Sequence, residues 1–157
     1  MRACIIYYSF SGNTRSVAIS LKEYLERQNG VDLIELKPKD EPKNFFAQGR
    51  SAVTQKEIDL GDAKFDLGEY DLVCFGTPVW AFGPTPALST YAKKCFGLEG
   101  KKVFIFTTSG GAGDGRCIKK LQAILEEKKA SGFVFLAVPR QKIKYKAALF
   151  ELFSKTL

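Results

Sequence analysis

Histidine is absent from this 157-residue chain, and methionine and tryptophan occur once each. The missing histidines exclude Ser-His-Asp and Cys-His nucleophile systems, the H-E-x-x-H zinc site and His-ligated haem in one step. No catalytic side chain and no metal site is expected, so any chemistry has to come largely from a bound cofactor. Cysteine is scarce as well. Cys4, Cys74, Cys95 and Cys117 are widely separated and form no C-x-x-C pair, which predicts reduced thiols, buried or half-buried. No apolar run approaches the roughly 20 residues that a membrane-spanning helix needs. Met1 leads directly into a strand-like segment without a signal-peptide pattern. The expectation is a cytoplasmic protein with no membrane insertion.

What is present suits one sizeable core. With 45% apolar and 13% aromatic residues, residues 1–157 are read as a single domain. The formal charge of +7 is unevenly spread, because residues 32–71 hold ten of the 17 acidic groups and residues 91–129 carry nine Lys or Arg against four acids. Such a surface suits an acidic partner or a phosphorylated cofactor by long-range attraction, and it is equally what a plain solvated face looks like. The lysines are scattered without interleaved exposed aromatics, so nucleic acid is not expected as a partner.

Periodicity predicts five strands alternating with helices. Ala3–Tyr8 is a continuous apolar run, as in a strand buried on both faces. Val17, Leu21, Tyr24 and Leu25 then recur at helical spacing, with Asn29-Gly30 as the stop. Further strands are read at 31–36, 71–76, 102–107 and 132–138. A helix is expected after Thr85-Pro86, an N-cap followed by proline at the first helical position, with Leu88, Tyr91, Ala92, Cys95 and Phe96 on its apolar face. Ile118, Leu121 and Leu125, with the stem of Lys128, mark another. Tyr145, Ala148, Leu149, Leu152 and Phe153 mark a terminal helix that docks on the sheet. Between 37 and 69 the pattern is irregular, with one helix read from about 44 to 54. The sum is an α/β fold, a doubly wound five-stranded parallel sheet of order 2-1-3-4-5. Ligands in such sheets bind beyond the carboxyl ends of the strands, at the switch point between strands 1 and 3.

Three loops converge there. After strand 1, Ser9-Phe10-Ser11-Gly12-Asn13-Thr14 opens directly into a helix. Helix N–H groups, hydroxyls and a glycine that admits close approach suit a phosphate, and an ordinary capped turn has the same look. The segment lacks G-x-x-x-x-G-K-[ST], so it is no nucleoside triphosphate loop. It also presents Tyr8-Ser9-Phe10 where a phosphoacceptor receiver needs an acidic pair. After strand 3, Thr77-Pro78-Val79-Trp80-Ala81-Phe82-Gly83-Pro84 places two aromatics on a loop, either as a platform for a flat ring or as plugs of the core. After strand 4, the glycines of residues 107–115 let bare backbone lie against a ligand edge, or serve a merely flexible loop. They do not fit G-x-G-x-x-G.

Ile5-Ile6-Tyr7-Tyr8-Ser9-Phe10-Ser11-Gly12-Asn13-Thr14, followed by Ala18 and Leu21, resembles the FMN phosphate-loop signature of the flavodoxin family, and the resemblance extends over essentially the whole chain. It implies a flavodoxin-like fold and FMN as cofactor. It implies that Ser9, Ser11, Gly12, Asn13 and Thr14 hold the phosphate. It further implies that Thr77, Pro78, Val79, Trp80, Ala81, Phe82 and Gly83, with Ser109, Gly110 and Gly111, hold the isoalloxazine. Two features depart from the electron carriers of that family. Those carriers are usually acidic, whereas this chain is basic. The tyrosine that often covers one flavin face has no counterpart in Ser109–Gly113. The short 132–138 strand, without insertion, resembles the short-chain forms.

The resemblance implies an electron-transfer carrier serving a redox partner protein. The alternative is an NAD(P)H-dependent reductase of FMN, a quinone or another small acceptor, working over an open flavin face. Compact length favours the first, and the basic balance and glycine-lined face favour the second.

Overall fold

The computed structural model of the chain describes residues 1–39 and 57–157; the helix read at 44–54 lies outside the described residues. Strands β1 (Arg2–Tyr7), β2 (Gly30–Glu35), β3 (Leu72–Pro78), β4 (Lys102–Ser109) and β5 (Ser131–Pro139) form one sheet. Its order is β2-β1-β3-β4-β5, with every pairing parallel. Helices α1 (Asn13–Leu25), α2 (Pro86–Lys94), α3 (Asp114–Glu126) and α4 (Lys146–Thr156) are its connections and cover.

Both faces of the central strands are buried, which is why their sequences read as unbroken apolar runs rather than as alternation. Cys4, Ile6 and Tyr8 of the first run point to one face and join Val73, Phe75, Val103 and Ile105 beneath α2 and α3. Ala3, Ile5 and Tyr7 point to the other and join Cys74, Phe104 and Phe106 beneath α1 and α4. Helix α1 inserts Val17, Ala18 and Leu21, all fully buried, and α4 inserts Leu149 and Phe153. Val17, Leu21, Leu149 and Phe153 each contribute about 1.5–3 kcal/mol of apolar burial. At Gly76 a Cβ would lie 2.1 Å from Cζ of Phe106. The absent side chain there is what lets the Phe106 ring lie across β3.

Two expectations at helix ends are corrected. Helix α2 stops at Lys94, so Cys95 leaves the helix in an extended conformation. Phe96 instead forms a bridge to Asp66 and is 55% exposed. Tyr145 precedes the first turn of α4 as its N-cap and is 65% exposed, leaving docking to Leu149 and Phe153. No helix among the described residues is long and apolar enough to cross a membrane.

Candidate cofactor site

The sheet delivers residues 8–14, 79–85 and 110–114 to the carboxyl ends of three neighbouring strands. Tyr8 extends β1 by donating its N–H to the carbonyl of Gly76 at 3.1 Å. The chain then turns at Gly12, whose φ of 89° and ψ of −10° make it a left-handed N-cap of α1. Such a cap carries no side-chain acceptor, and no side chain caps the first turn. The leading N–H groups of α1 and the positive end of its dipole therefore face the loop. Ser9 is almost fully buried, and its Oγ is the one buried side-chain oxygen or nitrogen among the described residues that lacks a hydrogen-bond partner. An orphan hydroxyl beside an uncapped helix start matches an anion with several acceptor oxygens. Ser11 is exposed and Asn13 half-buried. Thr14 is buried, its Oγ1 lying 2.8 Å from Oγ1 of Thr108, which pins the first turn of α1 to the end of β4. One of these two hydroxyls donates to the other, and the second keeps a proton for a further acceptor. Arg15 donates Nε to Glu35 at 3.0 Å, so its charge is already paired.

The loop after β3 is held from beneath. Thr77 is fully buried and spends its hydroxyl internally, donating to the Pro78 carbonyl at 2.9 Å and accepting from the Thr85 N–H at 3.1 Å. Val79 donates its N–H to the Thr108 carbonyl at 3.1 Å. Trp80 and Gly83 exchange both backbone hydrogen bonds, each at 2.9 Å, around Ala81 and Phe82 with φ of 45° and 59°. Positive φ at both central positions is the pattern of a type I′ turn, usually made by Asn and Gly. Trp80 is half-buried and meets Tyr8 edge-on at 5.6 Å and Phe10 at 6.3 Å. Phe82 is 53% exposed, with the guanidinium of Arg116 5.6 Å from its ring centroid. Trp80 packs half-buried against the core, while Phe82 stands at the surface.

Beyond β4, Gly110, Gly111 and Ala112 are exposed. Ser109 is braced, donating Oγ to Asp114 at 2.6 Å and accepting the Gly111 N–H at 3.1 Å. Asp114 also accepts from Thr107 at 2.6 Å. Helix α3 repeats the α1 arrangement, starting at Gly113 with φ 90° and no side-chain cap. Sequence reasoning did not assign Phe10, Thr108 or Asp114 to the site. The hydroxyl run Thr107-Thr108-Ser109 at a strand end, followed by an acid at the first position of a helix, was the available signal for two of them.

The thiols are not part of this chemistry. Burial pushes Cys4, Cys95 and Cys117 up to about 12, and Cys74 higher still. They stay protonated at neutral pH.

With this geometry in place, comparison with known proteins decides the family. The flavodoxin family model matches residues 2–136. The chain belongs to the flavodoxin family. No curated protein matches it by sequence. Among solved structures it is similar to a flavoprotein from Lactobacillus acidophilus in complex with FMN, at TM-score 0.70 and 20% identity, covering 93% of this chain and 98% of that one. It is similar to flavodoxin 2 from Bacillus cereus at TM-score 0.56 and 19% identity, covering 96% and 99%. It is also similar to the azoreductase AzrA at TM-score 0.60 and 16% identity, covering 99% and 98%. At these identities the likeness shows the fold.

Proposed function

We propose that this flavodoxin-family chain binds FMN and acts in the cytoplasm as an electron-transfer carrier between redox proteins. The observation that carries the FMN reading is the buried, unpartnered Ser9 Oγ beside the uncapped start of α1. Ser9, Ser11, Gly12, Asn13 and Thr14 would hold the phosphate. Thr77, Pro78, Val79, Trp80, Ala81, Phe82 and Gly83 on one side, and Ser109, Gly110 and Gly111 on the other, would hold the ring system, with Thr77 and Ser109 acting as braces of their loops. Bound FMN supplies reversible one- and two-electron chemistry, and the protein's share is positioning and electrostatics. Phe10 and Phe82 stand exposed at this end of the sheet, which supports transfer to a partner that docks against the loops.

A second reading, an NAD(P)H-dependent FMN or quinone reductase, is favoured by Arg116. Its guanidinium lies over Phe82 and has no carboxylate partner among the described residues, so a charge suited to a nucleotide phosphate stands at the mouth of the site. The likeness to AzrA supports the same reading. The deciding experiment is the absorbance spectrum of the FMN-loaded protein under anaerobic conditions before and after addition of NADPH or NADH. An oxidised spectrum that persists is the expected result for a carrier, and rapid bleaching of the visible band would replace it with the reductase. Failure to load FMN would overturn both.

A further inference from the structure

A groove of about 280 Å³ runs between α2 and α3 below the Trp80–Gly83 turn. Its walls are apolar, from Trp80, Pro84, Pro86, Ala123 and Ile124, and Lys93 and Lys120 stand at its edges. Lys120 is drawn across the turn, its Nζ 3.5 Å from the point where a Cβ on Gly83 would be. Neither lysine has an acidic partner among the described residues, whereas the neighbouring Lys94 faces Glu57. Thr90 also lines the groove and is 2% exposed. Its Oγ1 accepts the N–H of Ile58 at 3.1 Å, and its own proton has no acceptor among the described residues. The groove therefore combines a flat apolar wall, a buried donor and two unneutralised cations, the donor set of an anion site on an apolar floor.

We infer that this groove binds a small aromatic anion, a one- or two-ring carboxylate or sulfonate. Volume sets the size limit, since 280 Å³ lies just below the range of about 300–1,000 Å³ for ligand pockets and leaves no room for a dinucleotide. Charge sets the sign. The indole of Trp80 and the prolines supply a face for a ring, and Lys93, Lys120 and Thr90 supply donors for its acid group. The groove shares Trp80, Ala81 and Gly83 with the loop proposed to hold the flavin ring, while Thr90 and Lys93 belong to α2 and Lys120 to α3.

The probe is 2-naphthoate, with 2-naphthylmethanol as its neutral isostere, titrated into the cofactor-free chain. Trp80 is the only tryptophan, so its indole N–H gives a single cross-peak in a nitrogen–proton correlation spectrum. Naphthoate is expected to move that peak saturably, and the alcohol to bind at least about tenfold more weakly. In the Lys93→Ala/Lys120→Ala double variant, naphthoate affinity is expected to fall about tenfold and the alcohol's to stay unchanged. An unchanged thermal melt shows that the variant is folded. Equal affinity for acid and alcohol, or an unmoved Trp80 peak, would overturn the assignment. So would an unchanged naphthoate affinity in the double variant. A chain that fails to load FMN but still binds naphthoate in this lysine-dependent way upholds the groove while defeating the FMN reading.

Discussion

Replacing Ser9 with alanine should move stability and cofactor affinity in opposite directions. In the cofactor-free chain the Ser9 Oγ is buried and unpartnered. A buried, unsatisfied hydroxyl costs about 1–3 kcal/mol. Alanine removes the oxygen, keeps the Cβ and leaves little void, so Ser9→Ala should stabilise the cofactor-free protein by about 1 kcal/mol. For a chain of this size that raises the melting temperature by roughly 2–4 °C. With FMN the hydroxyl would donate to the phosphate, and a hydrogen bond to a charged group is worth about 1.5–3 kcal/mol. Its loss should raise the FMN dissociation constant about 10- to 100-fold. Riboflavin, which has no phosphate, should bind both proteins alike. Thermal melting by circular dichroism reads the first effect, and quenching of flavin fluorescence reads the second. A lower melting temperature with unchanged FMN affinity would mean that Ser9 is an ordinary structural residue, and the phosphate assignment would fall with it.

Other perturbations separate the remaining assignments. Trp80→Ala should weaken FMN binding and raise the residual fluorescence of the bound flavin; if neither changes, Trp80 serves only the core through Tyr8. Gly76→Ala should destabilise by about 1–3 kcal/mol through overpacking, because the new Cβ would meet the Phe106 ring at 2.1 Å. A urea midpoint equal to that of the parent would contradict this. All four cysteines should resist a thiol reagent in the native protein and react together on unfolding, given their complete burial; a fast-reacting thiol would refute the depth assigned to it. The Tyr70 hydroxyl, donating at 2.8 Å, and then Arg2 hold the Asp32 carboxyl below the usual carboxylate range. For a depressed acid the stabilisation is present above the unfolded pKa and is lost as pH falls through the folded one. Tyr70→Phe should therefore lower stability at neutral pH and lose that effect as pH falls below the ordinary Asp value of about 3.9, and an equal deficit at neutral and acid pH would sink the linkage.

Much of the fold was legible because the sheet is buried on both sides. Runs such as Ala3–Tyr8 and Val103–Phe106 leave no alternation to misread, and helix starts at Thr85-Pro86 and Gly12-Asn13 carry local signals. Helix ends were less legible, because the pattern Leu88, Tyr91, Ala92, Cys95, Phe96 continues past the last turn of α2. Cys95 is buried there in extended backbone, so burial kept the periodicity alive after the helix had stopped. In the site, the loops could be located from topology alone, but the partners of each hydroxyl could not. Thr14 meets Thr108 across 94 residues, and nothing local in either segment announces that pairing.

The turn at Trp80–Gly83 shows where local rules give way. Ala81 and Phe82 occupy positions of positive φ that Asn and Gly normally fill, at a cost on the order of 1–3 kcal/mol for each. A sequence of Trp-Ala-Phe-Gly gives no sign of such a turn. It persists because its surroundings over-determine it. Trp80 is wedged against Tyr8, and Thr77 clamps the exit through Thr85. Phe82 packs on Gly113, where a Cβ would approach its ring to 2.9 Å. Relaxing the two residues would withdraw Phe82 from Gly113 and break the paired hydrogen bonds that hold Trp80 against Tyr8 and Phe10 at the edge of the α2–α3 groove. Strain that neighbouring packing maintains, in the segment expected to meet the ligand, is what a preorganised binding loop requires. The broken propensity at Ala81 and Phe82 therefore supports the site rather than arguing against the fold.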